Sequence, residues 1–399
     1  MTENDPSPAK PRPAAASPKL PWKTRISVAA LSAVTDLCRR SNGSLNRSLL
    51  SLLDVRSPAS ATPVRGVRTA DVTVDSSRNL WFRLFVPSSG ESLPVIVFFH
   101  GGGFAFLSPD SRIYNAVCSR ICRKTQALVL SVNYRRSPEH RYPAPYEDGA
   151  DVLRFLDGNG LATADAAAAG LADLSSCFLA GDSAGANIVH HVGRRWAAGA
   201  WERIRLAGMV LIQPFFGGEE RTEAEIRLAK APLLSMERTD WMWRAFLPEG
   251  ADRDHEAANP FGPRAEGELE AALPEAMVVV GGFDLLQDWQ MRYYEGLRAR
   301  GKAARLVEYP EAIHAFYFFP EIKESAIVLE EIKGFIDGLR LFPQRNCLSL
   351  RLAADENRDD GMDGVYSFVL SAGEKDVKDW ALSHGAACHR PKPHCSVEA

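Results

Sequence analysis

Five apolar runs of strand length constrain this chain more than any other feature. They are Val95 to Phe99, Ala127 to Asn133, Cys177 to Ala180, Gly208 to Ile212 and Met277 to Val280. A strand with one wet face alternates apolar and polar residues, whereas a nearly continuous apolar run is buried on both faces. Helix-length segments with apolar spacing near 3.6 lie between most of these runs. Examples are Tyr146 to Leu156, Asn187 to Trp196, Gln287 to Arg300 and Ile322 to Leu339. Doubly covered strands separated by helices imply an α/β fold with a mostly parallel sheet. Asp71 to Val74 and Leu80 to Val86 add an antiparallel start, and Ala304 to Tyr309 completes about eight strands. Phe215 to Pro263 lacks a strand pattern. It reads as an insert of helices and loops over the C-terminal edge of the sheet, where such folds place their sites.

The 399 residues are 46% hydrophobic and 24% charged, enough for a large core and too apolar for wholesale disorder. A net charge of -3 argues against a nucleic-acid binder held by a basic field. No window approaches the roughly 18 apolar residues of a membrane span. Seven cysteines in so long a chain do not make a disulfide scaffold, and Cys118 and Cys122, one helical turn apart, read as buried thiols.

Glu3 and Asp5 precede a run of Pro and Ala that reaches Pro21. That pattern does not suit a secretory signal. Residues 1–21 read as a disordered leader and the location as cytoplasmic. Trp22 to Arg39 and Leu45 to Leu53 read as two helices flanking the Asn42-Gly43 break, so residues 22–62 are expected to form a lid or cap. The main domain is expected over 22–343. Residues 344–399 read as a disordered tail with one helix near Lys375 to Leu382. The tail carries His384, Cys388, His389, His394 and Cys395, whose spacing matches no familiar zinc site. No metal is expected there.

The sharpest local signal is Gly181-Asp182-Ser183-Ala184-Gly185, between the run ending at Ala180 and the helix around Asn187. That is the strand–turn–helix setting of a G-x-S-x-G nucleophile elbow. A very tight turn projects the serine into a site while glycines allow close backbone approach. The helix N-terminus beneath it favours developing negative charge.

A second signal is His100-Gly101-Gly102-Gly103-Phe104, directly after Phe99. Bare backbone N–H groups in such a loop suit an oxyanion hole. The plain alternative is a flexible turn. A phosphate loop lacks its Gly-Lys-Ser/Thr, and a dinucleotide loop lacks a completed G-x-G-x-x-G. His100 reads as a support for the loop rather than as a catalyst.

A serine nucleophile needs a base, and the base an orienting acid. His190 and His191 point away from the elbow tip, and His140 and His255 lie in other loops. His314 follows the strand ending at Tyr309, where it can reach Ser183. Asp284 stands just past the strand Met277 to Val280. A helix N-cap is its plain alternative, and Asp288 its rival. The order Ser, Asp, His is that of the α/β hydrolases. Phe104, Phe215, Trp241, Trp243 and Phe316 are candidate linings of an apolar pocket.

These blocks, with Asn133-Tyr134-Arg135-Arg136-Ser137-Pro138-Glu139-His140, Asn259-Pro260 and His314-Ala315-Phe316-Tyr317, resemble the plant carboxylesterase family. That family is related to hormone-sensitive lipase and to the gibberellin receptors. The resemblance spans about residues 22–343 and implies an α/β-hydrolase fold. It also implies Ser183 as nucleophile, His314 as base and Asp284 as acid. Gly102, Gly103 and Ala184 would supply the oxyanion N–H groups, with Gly101 and His100 in support. The expected activity is hydrolysis of small-molecule esters, without metal or organic cofactor. The receptors share the layout but lack the histidine that this chain keeps. A non-catalytic hormone receptor is the alternative, and an interfacial lipase a third. Two departures stand out: Ser137-Pro138 where many relatives have Ala-Pro, and His314-Ala315-Phe316 where His-Gly-Phe is commoner.

Overall fold

The computed structural model describes residues 18–265 and 267–341. Most of the expected leader, and all of the expected tail with its Cys/His tract, lie outside those residues. Two helices come first, α1 (Trp22–Cys38) and α2 (Arg47–Leu53). Asn46 caps α2 by accepting from Leu49 N at 3.2 Å, so that helix starts two residues later than the apolar pattern suggests.

Eight strands then form one sheet: β1 (Val67–Asp75), β2 (Leu80–Pro87), β3 (Leu93–Phe99), β4 (Leu128–Val132), β5 (Ala172–Asp182), β6 (Leu206–Ile212), β7 (Glu275–Phe283) and β8 (Ala304–Ile313). Their spatial order is β1-β2-β4-β3-β5-β6-β7-β8. The β1–β2 and β2–β4 pairs are antiparallel and the other five are parallel. This is the α/β-hydrolase fold. β3 and β4 are buried throughout, as continuous apolar runs must be. β1 is an edge strand with mixed burial, and pairing with β2 extends it well beyond its short apolar core.

Helices cover both faces: α3 (Arg112–Thr125), α4 (Ala144–Asp157), α5 (Gly160–Ala164), α6 (Ala166–Leu171), α7 (Ala184–Ala197), α8 (Glu223–Arg227), α9 (Met236–Phe246), α10 (Gln287–Ala299) and α11 (Lys323–Leu341). Residues of β3 show how the layers divide. Val95, Val97 and Phe99 join Val152 of α4 and Val189 of α7, while Ile96 and Phe98 join Val117 of α3 and Ile332 of α11. Each such buried side chain contributes about 1.5–3 kcal/mol relative to exposure. The Ala-rich connection before β5 is helical rather than irregular. Asp165 caps α6 through Ala168 N and pairs with Arg68 at 2.7 Å, which ties it to β1. The insert after β6 holds α8 and α9 and no strand.

Ion pairs fasten the N-terminal helices to the body. Arg47 donates to Ala105 O at 2.5 Å and Ser137 O at 2.6 Å, and pairs with Glu139 at 2.6 Å. Asp36 of α1 pairs with Arg238 of α9 at 2.6 Å. Among the described residues no helix is long and apolar enough to cross a membrane. Cys38, Cys118, Cys122 and Cys177 are free and buried. Desolvation pushes the Cys122 thiol up to about 12, as its apolar setting requires.

Candidate active site

β5 ends at Asp182 and α7 begins at Ala184, so Ser183 must turn the chain alone. It does so at φ 51° and ψ -120°, a region costly for any residue but glycine. Its N–H donates to Ile212 O at 2.9 Å, and its carbonyl accepts from Phe215 N at 2.9 Å, which over-determines the turn. Gly185 lies against the Phe99 carbonyl so closely that no Cβ fits.

His314 follows the last residue of β8. Its Nε2 lies 3.0 Å from Ser183 Oγ and its Nδ1 2.7 Å from Asp284 Oδ2. A carboxylate only accepts, so Nδ1 carries the proton and Nε2 is left to take one from the serine. Asp284 is fully buried. Its Oδ1 accepts from Leu286 N at 3.0 Å, which is a cap-type contact. Its Oδ2 accepts from Gln290 Nε2 at 2.8 Å and Gln213 Nε2 at 3.1 Å besides the imidazole. One oxygen thus holds the chain at the start of α10 while the other meets the imidazole. Asp288 instead accepts from Ala224 N at 2.8 Å and holds α8.

The other described histidines sit elsewhere. His190 Nδ1 lies 3.0 Å from Tyr293 Oη, His191 stacks on Tyr146, and His255 Nδ1 accepts from Ala257 N at 3.1 Å. His140 borders a separate arginine-lined cleft. His100 is fully buried and stacks on Tyr134 at 4.3 Å. Desolvation pushes its pKa down to about 3, so it is neutral, and its Nδ1–H donates to Gly101 O at 2.8 Å.

A cavity of about 510 Å³ opens beside Ser183 and His314, with Gly102 and Gly103 on its border. Gly102 adopts φ +100°, and a Cβ there would meet Phe106 O. The amide of Ala184 is the first of α7 and has no intrahelical acceptor. Leu31 and Val34 of α1, Leu50 of α2, and Leu234 and Met242 of the insert supply apolar walls. The aromatic residues expected to line the pocket do not. Phe104 stacks on Phe246 at 3.7 Å and Phe215 on Trp243 at 4.2 Å. Trp241 and Phe316 are also buried. All five lie in the core, packed against other buried side chains. Phe106, Phe318 and Phe319 border the cavity instead.

The family model described as the alpha/beta hydrolase fold matches residues 96–318. This chain belongs to the α/β-hydrolase family. Both receptors and esterases of that family are its relatives. It is 40% identical over 334 residues to gibberellin receptor GID1C of Arabidopsis thaliana, across 80% of this chain and 95% of the receptor. It is 33% identical over 293 residues to 3-O-acetylpapaveroxine carboxylesterase CXE2 of Papaver somniferum, across 70% of this chain and 93% of that one. A solved esterase of Pyrobaculum calidifontis shares the fold with a TM-score of 0.60 at 24% identity, across 82% of this chain and 95% of that one.

Two glutamines in this α/β hydrolase escaped the sequence reading. Gln213, just past β6, accepts from Ala315 N at 2.8 Å and donates to Ile313 O at 3.1 Å as well as to Asp284. Gln290 donates to the same carboxylate one helical turn into α10. Neither belongs to a motif; the only signal for Gln213 was its position just past β6, and Gln290 carried none.

Proposed function

We propose that this α/β hydrolase cleaves carboxylic esters of small molecules by acyl transfer. The observation that carries the reading is the continuous hydrogen-bonded line from Ser183 Oγ through both nitrogens of His314 to Asp284. His314 Nε2 takes the serine proton as Oγ attacks the ester carbonyl carbon. The N–H groups of Gly102, Gly103 and Ala184 hold the tetrahedral oxyanion, a contribution worth about 3 kcal/mol per donor lost. His314 passes its proton to the departing alcohol. Water then repeats the sequence on the acyl-enzyme and releases the acid. Asp284 fixes the imidazole tautomer and stabilises the imidazolium. Neither a metal nor an organic cofactor takes part, and nucleic acid is no partner. The free buried thiols agree with a reducing, cytoplasmic setting.

A second reading is a gibberellin-receptor-like protein that binds a small molecule without turning it over. The extent of the match to GID1C and the cavity walls contributed by α1 and α2 favour it. The intact His314 favours hydrolysis. Hydrolysis of p-nitrophenyl butyrate separates the two. Turnover far above that of Ser183→Ala is expected, and equal rates would leave the receptor reading.

A further inference from the structure

A buried carboxylate stands directly before the nucleophile. Asp182 is 2% exposed, and the groups that favour its charged form are two hydroxyls, an imidazole and a backbone amide. Its Oδ1 accepts from Gly101 N at 3.1 Å and its Oδ2 from the Tyr114 hydroxyl at 2.7 Å. The Tyr317 hydroxyl faces it as well and favours its charged form. Tyr114 Oη in turn accepts from Gly101 N at 2.6 Å. Gly101 sits so tightly here that a Cβ on it would meet Asp182 Oδ2 at 2.5 Å.

The placement of these partners matters. Gly101 leads into Gly102 and Gly103. Tyr317 follows His314 by three residues. One carboxylate therefore joins the strand carrying Ser183, the loop that borders the cavity beside it, and the loop carrying the imidazole.

We propose that Asp182 is a positioning residue for ester hydrolysis, holding the Gly101–Gly103 loop and the His314 loop in register with Ser183 and setting a negative charge beside the imidazolium that forms there. The inference rests on the esterase reading above.

The surroundings support the electrostatic part. Tyr114 and Cys118 face Asp182 from α3, Tyr134 from beyond β4, and Tyr317 and His314 from beyond β8. Burial pushes the three phenols and the thiol upward, so they stay neutral. Burial also raises the Asp182 carboxyl, to about 6, against the pull of the Tyr317 and Tyr114 hydroxyls and the charge of His314. The one charge that appears beside Asp182 during the reaction is the imidazolium. A carboxylate in a dry site favours that charge strongly.

The test compares the full-length protein with Ser183→Ala, Asp182→Asn and Tyr317→Phe on p-nitrophenyl butyrate across the acid range. Asp182→Asn should lower kcat by about 10- to 100-fold with KM changed less than about threefold, the mark of a transition-state effect. Its acid limb of kcat/KM should move to lower pH, because the carboxyl that titrates near 6 is gone. Tyr317→Phe keeps the carboxylate but removes a hydroxyl that favours its charged form, so its acid limb should move to higher pH. Unmoved limbs, or a kcat loss matched by loss of folded protein, would overturn the proposal. If Asp182→Asn does not fold, Tyr317→Phe decides alone. Wild-type turnover no greater than that of Ser183→Ala removes the esterase reading and this inference together. Clear wild-type turnover with unmoved variants removes Asp182 only.

Discussion

The backbone N–H of Ala315 donates to Gln213 Oε1 at 2.8 Å while Ala315 is held in the left-handed region at φ 59°. An alanine pays a steric penalty there that a glycine does not. Ala315→Gly should therefore stabilise the protein by about 0.5–1 kcal/mol, net of the extra freedom of the unfolded chain. Urea denaturation of the two proteins at one pH measures it.

Gln213 holds the backbone on both sides of His314 and the Asp284 side chain behind it. Gln213→Leu keeps most of the volume and removes all three contacts. We expect kcat to fall by about 10- to 100-fold with little change in KM, since misplacement of a base costs rate and not ground-state binding. Steady-state kinetics on a short-chain ester, with circular dichroism to confirm folding, tests this.

Asp284→Asn should be more severe. Its Oδ2 accepts from His314, Gln213 and Gln290 at once. An amide nitrogen at that position would face donors, and an amide oxygen would carry no charge to hold the imidazole. A fall in kcat on the order of 10³- to 10⁴-fold follows. A phosphonate probe should label the variant more slowly by a similar factor.

Buried neutral histidine makes the fold acid-sensitive. The His100 pKa is pushed from 6.5 to about 3 by burial, so the unfolded chain binds more protons through that window. Stability is then complete above about 6.5 and is lost as pH falls toward 3. Between pH 7 and pH 5 the loss from this group is about 2 kcal/mol. Asp182 acts in the opposite sense between 3.8 and about 6, because its folded form holds the proton more tightly. His190 and His191 are held neutral by burial in the same way, so His100→Phe should lessen the pH dependence of the unfolding free energy over this range without abolishing it. An unchanged slope would show that His100 does not set it.

The centre of the sheet was legible because its strands are buried on both faces and leave uninterrupted apolar runs. Its edges were not. β1 takes its length from pairing with β2, which no local pattern records. Ser183, Asp284 and His314 could be named as candidates because each stands just past a strand end within a short motif. Gln213 and Asp182 carry no such mark as helpers. Their meaning comes from partners such as Tyr114, Tyr317 and Ala315, which are distant in sequence and meet only when β3, β5 and β8 lie in one sheet. The cavity lining was misread for a related reason. Hydropathy shows that a ring such as Phe104 avoids water, but not whether other rings or an empty space receive it.

The attachment of the first two helices has a kinetic consequence. Arg47 with Glu139, and Asp36 with Arg238, are partly exposed pairs. Dissolved salt weakens contacts of that kind far more than it weakens the buried line behind Ser183. Raising ionic strength should therefore loosen the outer walls before it touches the chemistry. Ligand entry and exit would quicken in brine while the intrinsic reactivity of the serine stayed the same.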